Sequence, residues 1–569
     1  MIDARHFVTD PLPVTAGLGP THLATLVAAD ALARWVRMAG GSSDVCSTTP
    51  AGDLGGRLAL DTELVRQGFD PSTVDPSTLD AVASDFEDLR RDLVLGQLES
   101  LGVSPVVDGC RSDASRRAAH VAFVRLHEEG LISWEQMVVP ACPSCATVVE
   151  GPDAVAGELE VERLRIELGG SPALVVSVTA PELLGGAAGV GVPVGHPAVG
   201  ARVRVPLFDR EVPVVAEPGC SEPHLLVPAH DPSARDLALL HGLPAPSVIG
   251  TDGAILGDGM LGGLQRFAAR AAARALLEAE GVVVEVTRGT EDVERCRRCG
   301  SVTVPILGWH WALHIEGLVV AAADMVRHAA LRFLPADARD VMLDAGATMQ
   351  PWCLDRTVPG GVRLPVATCL ECLRMSVGLP ETMGTSCAKC LGELVPSRET
   401  LDARFTSALW PLVRLGWPAA GTATSEREAS ATVAVVARDS VGEWALPSLA
   451  LAIRLAGFVP FANVVVHPPE PPMVGEAPFD ASDARALRLA LLAGTDLDTA
   501  EAAVAALDDG AGAPDGDLVA AVAAAVEALE TGGPGLAGGL VVAALSGGVA
   551  PRDAASVREL VRPFLGDVA

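Results

Sequence analysis

Four Cys-x-x-Cys pairs set the tightest constraint on this chain: Cys142/Cys145, Cys296/Cys299, Cys369/Cys372 and Cys387/Cys390. That spacing lets two thiolates from one tight turn face a tetrahedral ion, and two such turns close its shell. The last two pairs are separated by 14 residues, the length of a zinc ribbon. The other two lie 150 residues apart, so inserted domains must bring them together if they share an ion. A redox role for a single pair is the alternative. A shell of four cysteines has no open position for water, so the expectation is two structural zinc sites rather than catalytic ones. Cys46, Cys110, Cys220 and Cys353 stand alone.

At 569 residues the chain is too long for one core and is expected to divide into about three or four domains. Its hydrophobic content of 49% and charged content of 20% are those of a globular protein. Tyrosine is absent and Lys389 is the only lysine, so arginine carries nearly all the positive charge. The net charge of −30 weighs against extensive nucleic-acid contact, because phosphate neutralisation supplies most of that affinity. The first thirty residues lack a charged start followed by an apolar core, so no secretory signal is expected. Residues 532–550 carry no charge, but glycines and a proline interrupt them, which reads as a loose helix–turn rather than a membrane span. The expected location is cytoplasmic.

Residues 22–39 place Leu23, Leu26, Val27, Trp35 and Val36 near one helical face, with Thr21 as the expected N-cap. SPALVVSVTA, ARVRVPL and REVPVVAE are short β-rich runs, so 160–290 reads as a β-rich module. Helical patterns return around 321–345 and 401–417. ATVAVVARD (431–439) reads as a buried strand, followed by a helix in EWALPSLALAIRLAG. Strand–helix alternation on both sides of a β-rich middle predicts an α/β nucleotide-binding fold with an insertion. From 483 to 569 the pattern is that of a helical tail.

This order of segments resembles a class I aminoacyl-tRNA synthetase of the valyl type, from about residue 9 to about residue 493. FTSALWPLVRLGWP (405–418) is its most specific stretch. WCLDRTVPGGVRLPV (352–366) is similar to the family's Trp-Cys-x-x-Arg segment, and it leads into the Cys369–Cys390 knuckle. VPAHDPSARDLALLHGLP (227–244) resembles the Pro-Ala-His-Asp motif of the inserted editing domain. The resemblance implies a Rossmann-type catalytic domain split by an editing-like insertion. Its N-terminal half would be 1–150, the insertion 151–292, and the zinc knuckles with the second catalytic half 293–482, before the short tail 483–569. It also implies that Cys142 and Cys145 share a zinc ion with Cys296 and Cys299 across the insertion. Family members activate an amino acid with ATP, esterify tRNA and hydrolyse wrong products at the editing site.

The departures from the family pattern are as informative. TAGLGPTH (15–22) keeps only the second histidine of His-x-Gly-His, as His22. Thr49 and Pro50 stand where Asp and His are usual. Asp439 and Trp444 match the later Gly-x-Asp…Trp segment, His467 matches a histidine before the lysine-rich loop, and Trp410 matches the aromatic wall for an aliphatic side chain. The lysine-rich loop itself is missing, and no arginine lies between Arg454 and Arg485 to replace it. In the editing segment Thr179, His230 and Asp231 remain, but Ala180 and Ala234 replace an arginine and an aspartate, and Leu225 a lysine. His230 and Asp231 read as helix-capping residues rather than catalysts. The tail is too short for the family's anticodon-binding domain and coiled coil.

Three readings follow. The chain is a pseudo-synthetase that contacts a protein or small ligand, with ATP binding doubtful and tRNA charging lost. Alternatively it is an ATP-dependent amino-acid ligase with a non-tRNA acceptor, or an ordinary valine–tRNA ligase whose missing motifs are compensated.

Overall fold

The computed structural model describes residues 6–13, 18–38, 40–103, 105–109, 112–145, 147–149, 153–168, 171–296, 299–328, 331–419 and 428–466. The side chain of Trp35, His467, the segment up to residue 482, the tail 483–569 and the apolar run 532–550 lie outside the described residues. The chain divides into two compact units, Trp134–Ala312 and a second made by the segments before and after it.

The second unit is built on six parallel strands. Their order is Arg332–Leu334, Asn463–Val466, Thr432–Val436, His6–Thr9, Asp44–Thr49 and Val106–Gly109. Parallel neighbours need crossovers, and the helices Pro20–Met38, Pro76–Ser100 and Leu446–Ala456 supply them. The strand Thr432–Val436 is buried along its whole length, as a sheet covered on both faces requires. Phe7, Leu26, Leu32, Val433 and Val435 share one core cluster. Burying a side chain of this size contributes about 1.5–3 kcal/mol. The sheet is Rossmann-like, and its order reverses at His6–Thr9, so a crevice opens beyond the carboxyl end of that strand.

Leu23, Leu26, Val27 and Val36 are buried, so the apolar face of the first helix is as its spacing predicts. The expected cap is corrected: Thr21 is the second residue of the helix, and Pro20 occupies its first position. A proline there has φ already set and lacks only an N–H that would have no helical partner. The helical pattern around 321–345 is present but interrupted. It holds two helices, Ile315–Arg327 and Ala338–Thr348, with the edge strand Arg332–Leu334 between them.

The unit Trp134–Ala312 contains a closed β-barrel. Its ring runs through Asp153–Leu168, Ser171–Val178, His224–Leu226, Gly189–Pro193, Glu211–Glu217 and Arg202–Arg204, and closes where Leu168 pairs with Val203. Leu164, Ile166, Val176, Val190 and Val214 pack its interior. The helix Arg266–Glu280 presents arginines at intervals of four to this unit. Arg266 donates to the Thr303 carbonyl at 2.7 Å, Arg270 grips Glu182 with two hydrogen bonds of 2.8 and 2.5 Å, and Arg274 pairs with Glu162. Glu182 and Glu162 are buried, so these pairs fix the helix's register on the unit.

Candidate functional site

The four Cys-x-x-Cys turns come together as two clusters of four sulfurs. In the first, Cys142 lies 3.4 Å from Cys299, and Cys145 lies 4.0 Å from Cys296 and 3.5 Å from Cys299. In the second, Cys369 is 3.4 Å from Cys390 and Cys372 is 3.7 Å from Cys387. A tetrahedral ion with metal–sulfur bonds of about 2.3 Å has sulfur–sulfur edges of about 3.8 Å. Both clusters can therefore hold a metal ion with small adjustments. The Lys389 N–H points at the Cys387 sulfur across 3.4 Å. This N–H, with that of Cys390, pulls the Cys387 thiol down to about 6. Cys390 goes the other way, to about 12, because the Cys369 and Cys372 sulfurs outweigh the Gly392 N–H that favours its thiolate. Four thiolates this close repel one another, and a divalent cation removes the conflict.

Three of the four turns are followed by a left-handed residue. In the first cluster this is Gly300, at φ +71°, directly after Cys299. In the second, Leu373 and Leu391 follow Cys372 and Cys390 at φ 56° and 62°. A leucine there costs about 1–2 kcal/mol that a glycine would not. The small sheet Met375–Val377, Val366–Cys369 and Leu394–Pro396 holds this knuckle.

At the carboxyl end of the six-stranded sheet, Asp10 follows the first strand and its carboxylate accepts a hydrogen bond from the Ser440 hydroxyl at 2.5 Å. Thr9 donates to Ser47 at 2.8 Å, and so ties the ends of adjacent strands. His22 is half-buried in the first turn of Pro20–Met38, beside Gly19. Asp439 is exposed, and its carbonyl accepts the N–H groups of Gly442 and Glu443. Those two residues belong to a wide helical turn, Val441–Ala445. Trp444 in that turn donates its indole N–H to the Ser407 carbonyl at 3.1 Å. Trp410 is 1% exposed, and its indole N–H has no hydrogen-bond acceptor among the described residues. The Asp10–Ser440 contact links residues 430 positions apart, and nothing in the sequence marks it.

Two charged networks escaped sequence reasoning. Asp402 is wholly buried between Arg356 and Arg404. Burial pushes its carboxyl up, but the Arg356 and Arg404 guanidinium groups prevail and hold it below the usual range. At the amino end of the sheet, His6 sits between Asp44, at 2.7 Å, and Glu428, at 2.9 Å. Arg414 donates to Cys46 at 3.2 Å and to Asp44 at 2.9 Å. His6, Asp44 and Cys46 have the composition of a metal site, yet Arg414 already places a cation among them.

In the barrel unit, Thr179 is exposed just past the strand Ser171–Val178. His230 is buried, with Nδ1 2.8 Å from the Pro305 carbonyl and Nε2 accepting from the Val248 N–H at 3.1 Å. Burial lowers its pKa, in keeping with a neutral ring that has both nitrogens engaged. The Asp231 carboxylate caps the helix Pro232–His241 by accepting from the N–H groups of Ser233 and Ala234.

A family model described as tRNA synthetases class I (I, L, M and V) matches residues 112–468. The valine–tRNA ligase of Symbiobacterium thermophilum is 30% identical over 487 residues, 81% of this chain and 52% of its own length. That of Geobacter sulfurreducens is 27% identical over 493 residues, 81% of this chain and 54% of its own. The chain thus spans about half the length of these relatives. Among solved structures, Mycobacterium tuberculosis methionyl-tRNA synthetase bound by methionyl-adenylate aligns with a TM-score of 0.50 at 11% identity, over 99% of this chain and 88% of that one. The Agrobacterium radiobacter agnB2 LeuRS, solved in a ternary complex with tRNA and LeuAMS, aligns with a TM-score of 0.50 at 15% identity, over 99% and 84%. At such identities these likenesses speak for the fold alone.

Proposed function

Because this chain belongs to the class I tRNA synthetases of the isoleucyl, leucyl, methionyl and valyl group, we propose that it is a pseudo-synthetase: a valyl-type scaffold held by two structural zinc ions and no longer charging tRNA. One observation carries this reading. The only lysine, Lys389, lies inside a cysteine turn, with its backbone N–H on the Cys387 sulfur. Its place between Cys387 and Cys390 is far in sequence from the segment after His467, where the family's lysine-rich loop would stand. Loss of a preorganised cationic clamp on the reacting phosphates costs on the order of several kcal/mol of transition-state stabilisation. The editing segment supports the same reading. His230 has both nitrogens occupied, Asp231 caps a helix, and Arg270 holds Glu182. Contact with another protein would then be the retained role. Leu370, Leu373 and Leu391, each next to a ligand cysteine, are exposed and offer an apolar surface for it.

The test is ATP–pyrophosphate exchange by the purified full chain with valine and each other standard amino acid. The expected result is exchange at background. Exchange above background would instead favour an ATP-dependent ligase that transfers an activated amino acid to a non-tRNA acceptor. The buried, acceptor-less Trp410 indole favours this second reading, because a ligand carbonyl could satisfy it. A melting-temperature rise with ATP, valine or a sulfamoyl-adenylate analogue would identify a live crevice.

A further inference from the structure

We propose that Glu217, Cys220 and His224 form a third metal site, open to solvent, that takes a zinc-type divalent cation. The three residues lie on the turn that joins the barrel strands Glu211–Glu217 and His224–Leu226. One donor atom from each lies within 4.8 Å of the other two, and all three residues are half-buried. The Cys220 sulfur is 3.6 Å from His224 Nδ1. Bonds of about 2.3 Å to sulfur and 2.0–2.1 Å to nitrogen in a tetrahedral shell give an edge of about 3.6 Å. The pair therefore already stands at the separation of two ligands on one ion.

Two independent observations point to a ligand here. First, Glu217 Oε2 is a buried oxygen with no hydrogen bond, and it ion-pairs at 3.1 Å with His224 Nε2, the ring nitrogen turned away from Cys220, so it would orient the imidazole while Nδ1 meets the ion. An anionic oxygen withdrawn from water in this way is costly unless a cation or a donor meets it. Second, the strand Gly189–Pro193 runs between the other two and carries a glycine, Gly191, directly opposite His224. A Cβ at Gly191 would collide with Glu217 Oε2 and come within 3.0 Å of the imidazole. The barrel wall is thus cut away where the carboxylate and imidazole meet. The turn itself depends on Gly219, at φ +83°.

Without a metal, the thiol donates to the Glu222 carbonyl at 3.0 Å, and His224 Nδ1 lies 3.3 Å from that same oxygen. A hydrogen-bonded turn is the competing account, and it predicts no metal. Carboxylate, thiolate and imidazole together suit zinc and its neighbours better than magnesium or calcium. Three protein ligands leave one position for water or an exogenous donor, unlike the closed four-cysteine clusters.

The experiment counts zinc per chain by elemental analysis after equilibrium dialysis of the full-length protein at micromolar free zinc. Wild type is expected to hold one zinc more per chain than Cys220→Ser and His224→Ala. Glu217→Gln, which preserves the shape of the turn, is expected to weaken binding at this site about tenfold or more. Gly191→Ala is expected to displace the carboxylate and act in the same direction. Unchanged thermal unfolding of the variants shows that their fold is intact. Equal zinc content in wild type and the correctly folded Cys220 and His224 variants overturns the proposal.

Discussion

A buried carboxylate shared by two arginines is stable only while both charges are answered. Arg356 and Asp402 are each almost fully buried, so Arg356→Ala leaves an anion whose one remaining partner is the half-exposed Arg404. The expected loss is about 3 kcal/mol, read as a lower denaturation midpoint with an unchanged slope. His6 offers a test with a pH axis. Its pKa is raised from 6.5 to about 10, chiefly by the hydrogen bond to Asp44, then by Cys46 and Glu428 against the opposing effect of burial. The folded state holds the proton more tightly than the unfolded one. Its stabilisation is therefore complete below about pH 6.5 and lost as pH rises through about 10. His6→Gln should be clearly less stable than wild type at pH 6, and the two should converge above pH 10. Asp231→Ala should cost only about 1 kcal/mol, the worth of a helix cap. A loss of activity without such a stability change would argue for catalysis at that residue. That Asp231 caps a helix was legible from the Asp-Pro-Ser-Ala sequence alone. The Asp402 and His6 networks were not, because Arg356 stands 46 positions from Asp402, and Asp44 and Glu428 stand 38 and 422 from His6, and no local pattern pairs them.

At the scale of elements, the two cysteine clusters differ in one respect that can be measured. Leu391 is exposed and holds a left-handed conformation that leucine resists and asparagine tolerates. Leu391→Asn should tighten metal binding at the knuckle about fivefold, close to 1 kcal/mol, as judged by competition with a chromophoric chelator. The cysteine turns were readable because ligand spacing is a local property of the sequence. So were the runs that became Ser171–Val178, Glu211–Glu217 and Thr432–Val436, since continuous or alternating apolar residues need no distant partner to announce a strand. The edge strand Arg332–Leu334 was hidden in a helical stretch. Three residues are too few to show a period, and Asn463–Val466 beside it provides the pairing. The arginines of Arg266–Glu280 were not singled out, because their targets, Glu182 and Glu162, belong to strands or turns far away in sequence.

For the whole molecule, the net charge of −30 opposes retention of a polyanion. In an electrophoretic assay at physiological salt, tRNA is expected to migrate unretarded at micromolar protein, and a stable shifted band would contradict this charge argument. Among the described residues, no helix is long and apolar enough to cross a membrane. The Rossmann-like sheet and the barrel follow from strand and helix alternation once an insertion is allowed, while the barrel's closure does not. Among the described residues it rests on the pairing of Leu168 with Val203, which no pattern specifies.

The first cysteine cluster joins the two ends of the segment that carries the barrel, with Cys145 and Cys296 separated by 151 positions, whereas Cys372 and Cys387 are separated by 15. Closing a loop ten times longer costs about 2 kcal/mol more in chain entropy. If each cluster takes an ion, the short knuckle can capture one during synthesis on the ribosome almost as soon as its last cysteine emerges. The other clasp must wait until the barrel's strands have been made and have drawn its two halves together. Metal capture there would then mark completion of the barrel, a built-in order of assembly in which the ion seals a domain that has already folded.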